Sequence, residues 1–291
     1  MAEIRVDMHV IVHGGAGSPA DEPADRQAVL DEAADSGTKQ STPLDAVVRA
    51  VRVLESSPRF NAGVGSAVQS DGAIRTDAGV MTGSGDTGAA CSMPDVEAAV
   101  EVARLVATET PHVLLSGDHA VAFAESYDVQ TDCDLWSERT RSRWDELEPP
   151  SDENPRTHLE WVAEQFGGSD TVGAVATDGD ELVAATSTGG RWCALAGRVG
   201  DVPQVGAGFY ATERAAASAT GAGEAIAEFG LARRVVERIE NGLGPQLAAD
   251  RAIEAFEADT DSQAGVIVLD TDGTAGSSYN SPAMQTARSR E

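Results

Sequence analysis

Apolar residues along the chain follow two patterns: short runs bordered by glycine, and longer segments in which they recur with a helical period. Runs rich in Val, Ile and Ala at 8–12, 171–177 and 182–190 are typical of buried strands joined by tight turns. A helix is predicted over 42–55, where a proline suits the first turn and apolar side chains share one face. That face carries Leu44, Val47, Val48, Val51 and Leu54.

Other elements follow from the same two patterns. Residues 57–85 are predicted to form a loop, a strand, an Asp-Gly turn and a second strand, while His13-Gly14-Gly15-Ala16-Gly17 ends the first strand of the chain. Helices are predicted at 95–108, 223–238 and 247–258, a short strand and helix within 111–127, and a last hairpin at 265–279. Strand pairs alternating with pairs of helices indicate helices on both outer faces of two stacked sheets.

The segment 128–170 differs from the rest of the chain. It is charged and rich in turn residues, and a helix at about 158–166 is its one predicted element. No strand pattern is found there. We therefore expect a surface excursion or a mobile linker that leads into the apolar run beginning at Thr171.

The charge balance excludes some partners. The chain has 21 Lys+Arg against 48 Asp+Glu, a net charge of −27, and Lys39 is its only lysine. Such a surface repels nucleic acid and anionic membrane, so neither is expected as a partner. Acidic surfaces with few lysines resemble those of proteins from salt-loving microorganisms, which predicts that stability rises as molar salt screens the self-repulsion. The alternative is an ordinary acidic enzyme.

Cysteine content and hydropathy point to an intracellular globular protein. The three cysteines, Cys91, Cys133 and Cys193, are widely spaced and form no C-x-x-C pair, so a disulfide framework or a zinc site is not expected. No stretch is long and apolar enough for a signal peptide or a membrane span. A cytoplasmic location is the expectation.

Two glycine-rich motifs have competing interpretations. Residues 83–88 match G-x-G-x-x-G, but Met93-Pro94 soon after them does not continue as the helix that a dinucleotide site needs. The glycines of 13–17 offer backbone N–H groups to an anion, although a turn that passes close to another strand explains them equally well. G-x-S-x-G is absent, and no histidine has a catalytic-looking context, so a hydrolase here needs another base.

An N-terminal threonine would supply that base. Its α-amine titrates near ~7.7–8.0, close to working pH, and chain cleavage before the residue creates the hydroxyl and its base together. Thr171 begins an apolar run directly after the charged segment, where an internal cut is tolerated. Taken alone, a threonine that merely starts a strand is the simpler interpretation.

Several ordered motifs resolve that choice. Asp170-Thr171-Val172-Gly173, Thr186-Ser187-Thr188-Gly189-Gly190, Gly197-Arg198-Val199-Gly200-Asp201, Gly206-Ala207-Gly208 and Thr220-Gly221-Ala222-Gly223-Glu224 occur in this order, with His13–Gly17 and Phe60-Asn61-Ala62-Gly63-Val64-Gly65 before them. Together they resemble the plant-type asparaginase / isoaspartyl peptidase family of N-terminal nucleophile hydrolases. The resemblance runs from about residue 10 to the end, apart from the segment before Thr171.

The resemblance implies a fold, a cleavage and a catalytic set. The fold would be a single α+β domain, a four-layer αββα sandwich, cut between Asp170 and Thr171 into an α chain of 1–170 and a β chain of 171–291. Thr171 would be the nucleophile and Thr188 the threonine that orients its amine. The oxyanion hole would consist of Thr220 and Gly221, and Asn61 would lie close to the nucleophile.

It also implies how substrate and ions are held. Arg198 would bind the substrate α-carboxylate with its planar guanidinium group. Asp201, together with the backbone carbonyl of Gly223, would bind the α-ammonium. The two charged side chains would form a clamp suited to an amino acid amide. A surface ion pair of Arg198 and Asp201, worth ~0–1 kcal/mol, is the alternative. Catalysis needs no metal, but a structural sodium ion would be held by the backbone carbonyls of Leu54, Glu55, Ser57, Phe60, Ala62 and Val64.

The expected activity is hydrolysis of the side-chain amide of L-asparagine, of β-aspartyl peptides, or of both, by a homodimer of αβ units. Three positions depart from the family pattern: Asp170 replaces the usual glycine, Ala222 a frequent threonine, and Trp192 adds bulk after Gly190. Aspartate before the nucleophile is found in glycosylasparaginases and in threonine aspartase. A glycosylasparaginase-like or protein-cleaving threonine hydrolase, and a non-processing homologue that only binds an amino acid, therefore remain alternatives.

Overall fold

The computed structural model describes residues 7–151, 154–165 and 170–291, and within them two β-sheets. The larger sheet has the strand order β11-β1-β5-β6-β2-β3-β4, and only its β3–β4 pair is parallel. Its strands are β1 (His9–Gly17), β2 (Arg75–Thr82), β3 (Thr87–Pro94), β4 (Leu114–Ser116), β5 (Val172–Thr177), β6 (Leu182–Thr188) and β11 (Ala283–Arg290). The smaller sheet, ordered β10-β9-β8-β7, consists of β7 (Phe209–Ala211), β8 (Ala215–Gly221), β9 (Ala264–Asp270) and β10 (Ala275–Tyr279).

Helices lie between these strands along the described chain. They are α1 (Pro23–Thr38), α2 (Pro43–Glu55), α3 (Ala99–Glu109), α4 (Gly117–Glu125), α5 (Glu138–Asp145), α6 (Pro155–Gln165), α7 (Gly223–Phe229), α8 (Leu231–Glu240) and α9 (Pro245–Thr260). Helix α2 begins where the sequence predicts, because Thr42 caps it by accepting from the Asp45 N–H at 3.1 Å. Among the described residues, no helix combines the length and apolarity that crossing a membrane requires.

The apolar runs are continuous because both faces of their strands are covered. In β1, Val10 and Val12 pack in one apolar cluster with α1, α2 and α3, while Ile11 belongs to a second cluster shared with strands of the smaller sheet. In β5, Val172 and Val175 divide between the same two clusters. A third cluster joins the far side of β8 and β9 to α8 and α9. The protein is therefore a mixed α/β structure in which each sheet packs against helices.

The glycine-rich segment after the first apolar run does not end the strand, contrary to the prediction. Strand β1 continues to Gly17, with a shift of register against β11 between His13 and Ala16. A β-bulge accounts for this, because Gly15 has φ +110°, a conformation that a side chain would strain. The glycines therefore bend the strand while it stays in the sheet.

Three further predictions need correction. The final hairpin does not end the fold, because β11 follows it and returns to pair with β1 in the other sheet. The helix predicted over 223–238 is two helices, since Gly230 takes a left-handed conformation between α7 and α8. Of the first strand predicted within 57–85, only the bridge between Val68 and Ile74 forms around the Asp-Gly turn.

The described part of the 128–170 segment is folded onto the body of the protein. It contains α6, which lies close to the predicted helix at 158–166; the last residue of that prediction, Phe166, lies outside the described residues. It also contains α5, which was not predicted. Trp144 makes edge-on contacts with Trp136, Trp161 and Trp192 at centroid distances of 6.1–6.5 Å. The apolar signal was missed because these tryptophans are widely separated among charged residues.

Candidate active site

The hairpin of β5 and β6 brings the two key threonines together. Thr171 immediately precedes β5 and Thr188 is the last residue of β6, and the pairing of Val172 with Ser187 places both at the same end of the hairpin. Each is only 3% exposed. In the uncut chain, therefore, the proposed nucleophile is closed off from an incoming substrate.

The carbonyl oxygen of Asp170, directly before Thr171, accepts two hydrogen bonds. The Asn61 amide nitrogen donates to it at 2.7 Å and the Thr188 hydroxyl at 3.1 Å. Asn61 is held in place because its side-chain oxygen accepts from the Ala67 N–H at 2.7 Å. Two aligned donors on one peptide carbonyl polarise it and stabilise the oxyanion that forms when a nucleophile adds to its carbon.

The side chain of Asp170 lies against the bulged end of β1. A methyl group added at Gly15 would meet its Oδ1 at 2.8 Å, and Arg26 approaches its Oδ2 at 3.6 Å. Burial raises the pKa of Asp170, an effect that Arg26 and then Arg139 oppose. No sequence motif pointed to Arg26, whose guanidinium also donates to the Gly14 carbonyl and lies over the Phe60 ring.

His13 takes part in a buried polar network behind the nucleophile. The His13 Nε2 lies 2.9 Å from the Ser218 hydroxyl, and that hydroxyl lies 2.8 Å from the Thr186 hydroxyl. In the β1–β5 pairing, His13 is opposite Gly173. Burial lowers the His13 pKa to about 3, with the Thr171 backbone opposing the shift. The histidine is thus neutral at physiological pH, consistent with its lack of a catalytic context in the sequence, yet it borders Thr171.

Thr220 and Gly221 occupy the end of β8. The Thr220 hydroxyl oxygen accepts from the Ala16 N–H at 3.3 Å, so the hydroxyl proton of Thr220 is directed elsewhere. Ala16 lies between Gly15 and Gly17, the two glycines next to the Asp170 side chain. Gly221 has φ +137°, and a Cβ there would lie 2.4 Å from the Gln263 carbonyl. Only glycine fits at that position.

The structure brings Arg198, Asp201 and Gly223 together. A Cβ at Gly223 would lie 2.7 Å from both Arg198 Nη2 and Asp201 Oδ1. Arg198 does not pair with Asp201; its Nε donates to Glu224 at 2.8 Å instead. Arg198 Nη2 and Asp201 Oδ2 are buried and find no partner among the described residues. One unpaired donor and one unpaired acceptor, side by side, match a ligand that carries both a carboxylate and an ammonium group.

Two acidic residues near this clamp were given no role in the sequence analysis. Glu224 pairs with Arg198. Burial alone would raise the pKa of Glu224, but the bond to Arg198 outweighs burial and the pKa falls to about 2. Asp77, the register partner of Thr188, accepts from the Ser92 N–H at 2.7 Å, and burial raises its pKa to about 7. Burial also raises the pKa of Asp201 to about 7. A lone carboxylate in the apolar strand β2 was the signal that could have identified Asp77.

The loop assigned to a sodium ion follows α2. Its backbone is already partly hydrogen-bonded, since the carbonyls of Leu54, Glu55 and Ser57 accept from the N–H groups of Ser57, Val64 and Phe60 at 2.8–3.3 Å. The carbonyls of Phe60, Ala62 and Val64 accept no hydrogen bond from the described residues. Oxygen donors of this kind suit a hard cation. Elsewhere in the described chain, no group of three His, Cys, Asp or Glu side chains could hold a metal ion.

Comparison with known proteins agrees with this arrangement. The sequence model of the family described as Asparaginase matches residues 6–291. A plant-type L-asparaginase of Pyrococcus abyssi is 39% identical, with 97% of this chain and 96% of the relative covered. An isoaspartyl peptidase/L-asparaginase of Danio rerio is also 39% identical, with 97% and 92% covered. One from Rattus norvegicus is 35% identical, with 97% and 86% covered. The chain belongs to the asparaginase family.

Proposed function

We propose that this protein is an amidohydrolase that cuts its own chain between Asp170 and Thr171 and then hydrolyses the side-chain amide of L-asparagine and β-aspartyl peptides. The names of its relatives support the activity. The observation that carries the proposal is the pair of hydrogen bonds from Asn61 and Thr188 to the carbonyl oxygen of Asp170. They mark the peptide bond to be cut and the nucleophile beside it.

In autocleavage, the Thr171 hydroxyl oxygen adds to the carbonyl carbon of Asp170, and Asn61 and Thr188 stabilise the oxyanion. The C–N bond then breaks, the Thr171 nitrogen takes a proton, and an ester joins the two residues. Water hydrolyses that ester to leave a carboxyl terminus at Asp170 and a free amine at Thr171. The carboxyl side chain of Asp170, held beside the bond by Arg26, assists these proton transfers.

In turnover, the freed α-amine of Thr171 takes the proton of its own hydroxyl as the oxygen attacks the substrate amide carbon. The same amine returns a proton to the leaving nitrogen, so ammonia or an amino acid departs and a β-aspartyl ester remains. Water then releases L-aspartate. Thr220 and the N–H of Gly221 stabilise the oxyanion in both halves of the reaction.

Substrate selection on the aspartyl side follows from the two orphaned atoms. Arg198 Nη2 donates to the α-carboxylate and Asp201 Oδ2 accepts from the α-ammonium. Because Arg198 and Asp201 carry opposite charges, the clamp binds a zwitterion without leaving a net charge buried between them, and Glu224, which pairs with Arg198, is itself half exposed.

Three features of the wider protein belong to the same proposal. The helix–sheet–sheet–helix packing is inferred to be the αββα sandwich of N-terminal nucleophile hydrolases, and the single domain to work as a homodimer of αβ units. The carbonyls of the loop after α2 fit a sodium ion, with Phe60, Ala62 and Val64 supplying free oxygens. Sodium there would stiffen the loop that carries Asn61, and takes no part in the chemistry.

The mass of the denatured protein tests the cleavage. After incubation in molar potassium chloride, the 30.1 kDa chain is expected to give pieces of about 18 and 12 kDa, scaled by residue number. Thr171→Ala should stay whole and lose activity by at least roughly 10⁴-fold. Thr177→Ala, the same change at the far end of β5, should be cut and active.

Substrate comparison separates the alternatives. Release of ammonia from L-asparagine and of amino acid from a β-aspartyl dipeptide is expected, with little release from a glycosylated asparagine. Preference for the glycosylated substrate would favour a glycosylasparaginase-like enzyme. A chain that stays whole and binds aspartate without turnover would replace the proposal by an amino-acid-binding protein.

A further inference from the structure

A cavity of about 850 Å³ opens beside the scissile bond between Asp170 and Thr171. Asp170 and Asn61 line its inner end, and α5 together with the residue before its N-cap, Trp136, lines its wall. None of the residues assigned to the aspartyl clamp lines it. The cavity is therefore a separate space that adjoins the reacting carbonyl.

Two arginines of this wall form no salt bridge among the described residues, although Arg139 is near enough to Asp170 to oppose the rise in the pKa of that carboxyl. Arg139 and Arg143 both line the cavity, and they lie four residues apart on α5, so they share one helix face. The other two arginines in the lining are paired, Arg26 with Asp170 and Arg59 with Glu22. The cavity wall therefore carries two neighbouring cations that form no salt bridge among the described residues.

Arg143 is held by a tryptophan, and Arg139 by the hydrogen bond that its Nη2 donates to the Pro58 carbonyl at 3.5 Å. Arg143 lies over the Trp192 ring at 4.1 Å, and Trp144 on the next position of the helix packs edge-on against Trp136 and Trp192. A capping box at the helix N-terminus, formed by Ser137 and Thr140, holds the first turn. The cavity thus offers aromatic surface next to two fixed guanidinium groups, a combination that suits an organic anion.

The position of the cavity relative to Thr171 determines what it can receive. In turnover the α-amine of Thr171 must protonate the leaving nitrogen, so the leaving group has to lie on the amine side of that residue. In the uncut chain the Thr171 nitrogen is bonded to Asp170, so the amine side of Thr171 is the side on which Asp170 lies. Asp170 also lines the cavity. A leaving group larger than ammonia therefore extends into this space.

We propose that the cavity binds the departing amino acid of β-aspartyl dipeptides, with Arg139 and Arg143 on its α-carboxylate and Trp136 and Trp192 beside its side chain. This rests on the proposed function and adds a preference to it: β-aspartyl dipeptides with a free carboxyl terminus are better substrates than their C-terminal amides. Asp21 and Glu138 also line the cavity, so the preference depends on the local pair of arginines.

The test uses the autoprocessed full-length enzyme and three substrates: a β-aspartyl dipeptide with an aliphatic second residue, the same dipeptide as its C-terminal amide, and L-asparagine. For the Arg139→Gln, Arg143→Gln double variant, the ratio of kcat/KM on the free dipeptide to kcat/KM on the amide is expected to fall by about ten- to a hundred-fold, the worth of a charge-assisted contact. Most of the change should be in KM. Arg139→Lys, Arg143→Lys, which keeps both charges, should restore a large part of the ratio.

The Arg104→Gln, Arg251→Gln double variant is the matched control, because these two arginines pair with Glu101 and Glu254 and do not line the cavity. It should leave the ratio within about twofold, which removes net charge as an explanation. An unchanged ratio when the two cavity arginines are replaced by glutamine would overturn the proposal. So would parallel losses on all three substrates, which would mean that the arginines hold the new carboxyl terminus of Asp170 instead. Absence of turnover in the cut wild type on every substrate would count against the proposed function itself.

Discussion

The two sides of Thr171 handle carboxylates in different ways. On the aspartyl side, Asp201 is buried and Arg198 half-buried, both lie close to Gly223, and Arg198 pairs with Glu224. On the proposed leaving-group side, Arg139 and Arg143 are exposed, Arg143 lies over the Trp192 ring, and neither forms a salt bridge among the described residues. A tightly enclosed clamp accepts one kind of acyl group, whereas an open wall tolerates many amines. The difference indicates strict selection of aspartyl groups and broad selection of what is attached to them.

The largest effect on this comparison is expected from Thr220→Val. Loss of one oxyanion donor should lower kcat by about 10²- to 10³-fold, equally for L-asparagine and for a β-aspartyl dipeptide, because the oxyanion is common to both. Thr220→Ser keeps the hydroxyl that accepts from Ala16 and should recover most of the rate. Unequal losses on the two substrates would show that the hydroxyl belongs to one side of the site only.

Asp201→Asn should act on the aspartyl side alone. It removes the charge that holds the α-ammonium, and a fall in kcat/KM of about ten- to a hundred-fold is expected on every substrate.

The same residue gives a pH dependence. The Asp201 pKa is raised to about 7 by burial, so in the wild type kcat/KM should fall as pH drops below about 7 and the carboxyl takes a proton. The Thr171 amine, protonated below ~7.7–8.0, lowers activity in the same direction. In Asp201→Asn one of these two steps should disappear from the pH profile. A profile of unchanged shape would remove Asp201 from the binding of the cation.

The smallest effect is expected on stability, from Asp77→Asn. The pKa of Asp77 is raised to about 7 in the folded protein, mainly by burial, so folding favours its protonated form and this contribution is lost as pH rises towards and through 7. The amide keeps an oxygen for the Ser92 N–H and cannot ionise. The free energy of unfolding of the Asp77→Asn variant at pH 8 should therefore exceed that of the wild type by on the order of 1 kcal/mol. At pH 4 the two proteins should differ little. Chemical denaturation at both pH values would measure this, and equal effects at both would contradict the burial argument.

Elements with a strong local pattern were predictable from the sequence. The period of α2 and its threonine cap, the hairpin of β5 and β6, and the pair β9 and β10 appear where the apolar runs indicate them. Strand β11 was not predicted, because its residues are largely polar or half-buried and it is a strand through its pairing with β1. The tryptophan cluster around Trp144 was missed for a related reason, since residues far apart in sequence form it.

The candidate site divides in the same way. The ordered motifs named Thr171, Thr188, Arg198 and Asp201, and the structure brings them into two adjoining groups. The roles of Arg26, Asp77 and Glu224 depend on which charge lies opposite each of them, and local sequence contains no such information.

The sequence by itself determined the family, the threonine beside the expected cut, and the strands whose runs of small apolar residues can be buried on both faces. Only the tertiary structure decided that Asn61, more than 100 residues before Thr171 in the chain, donates to the scissile carbonyl. It likewise decided that Arg198 pairs with Glu224 instead of Asp201, and that α5 turns two arginines towards the cavity. The physical reason is that local patterns record burial and backbone preference, whereas hydrogen bonds and ion pairs depend on distances that exist only after the sheets have packed.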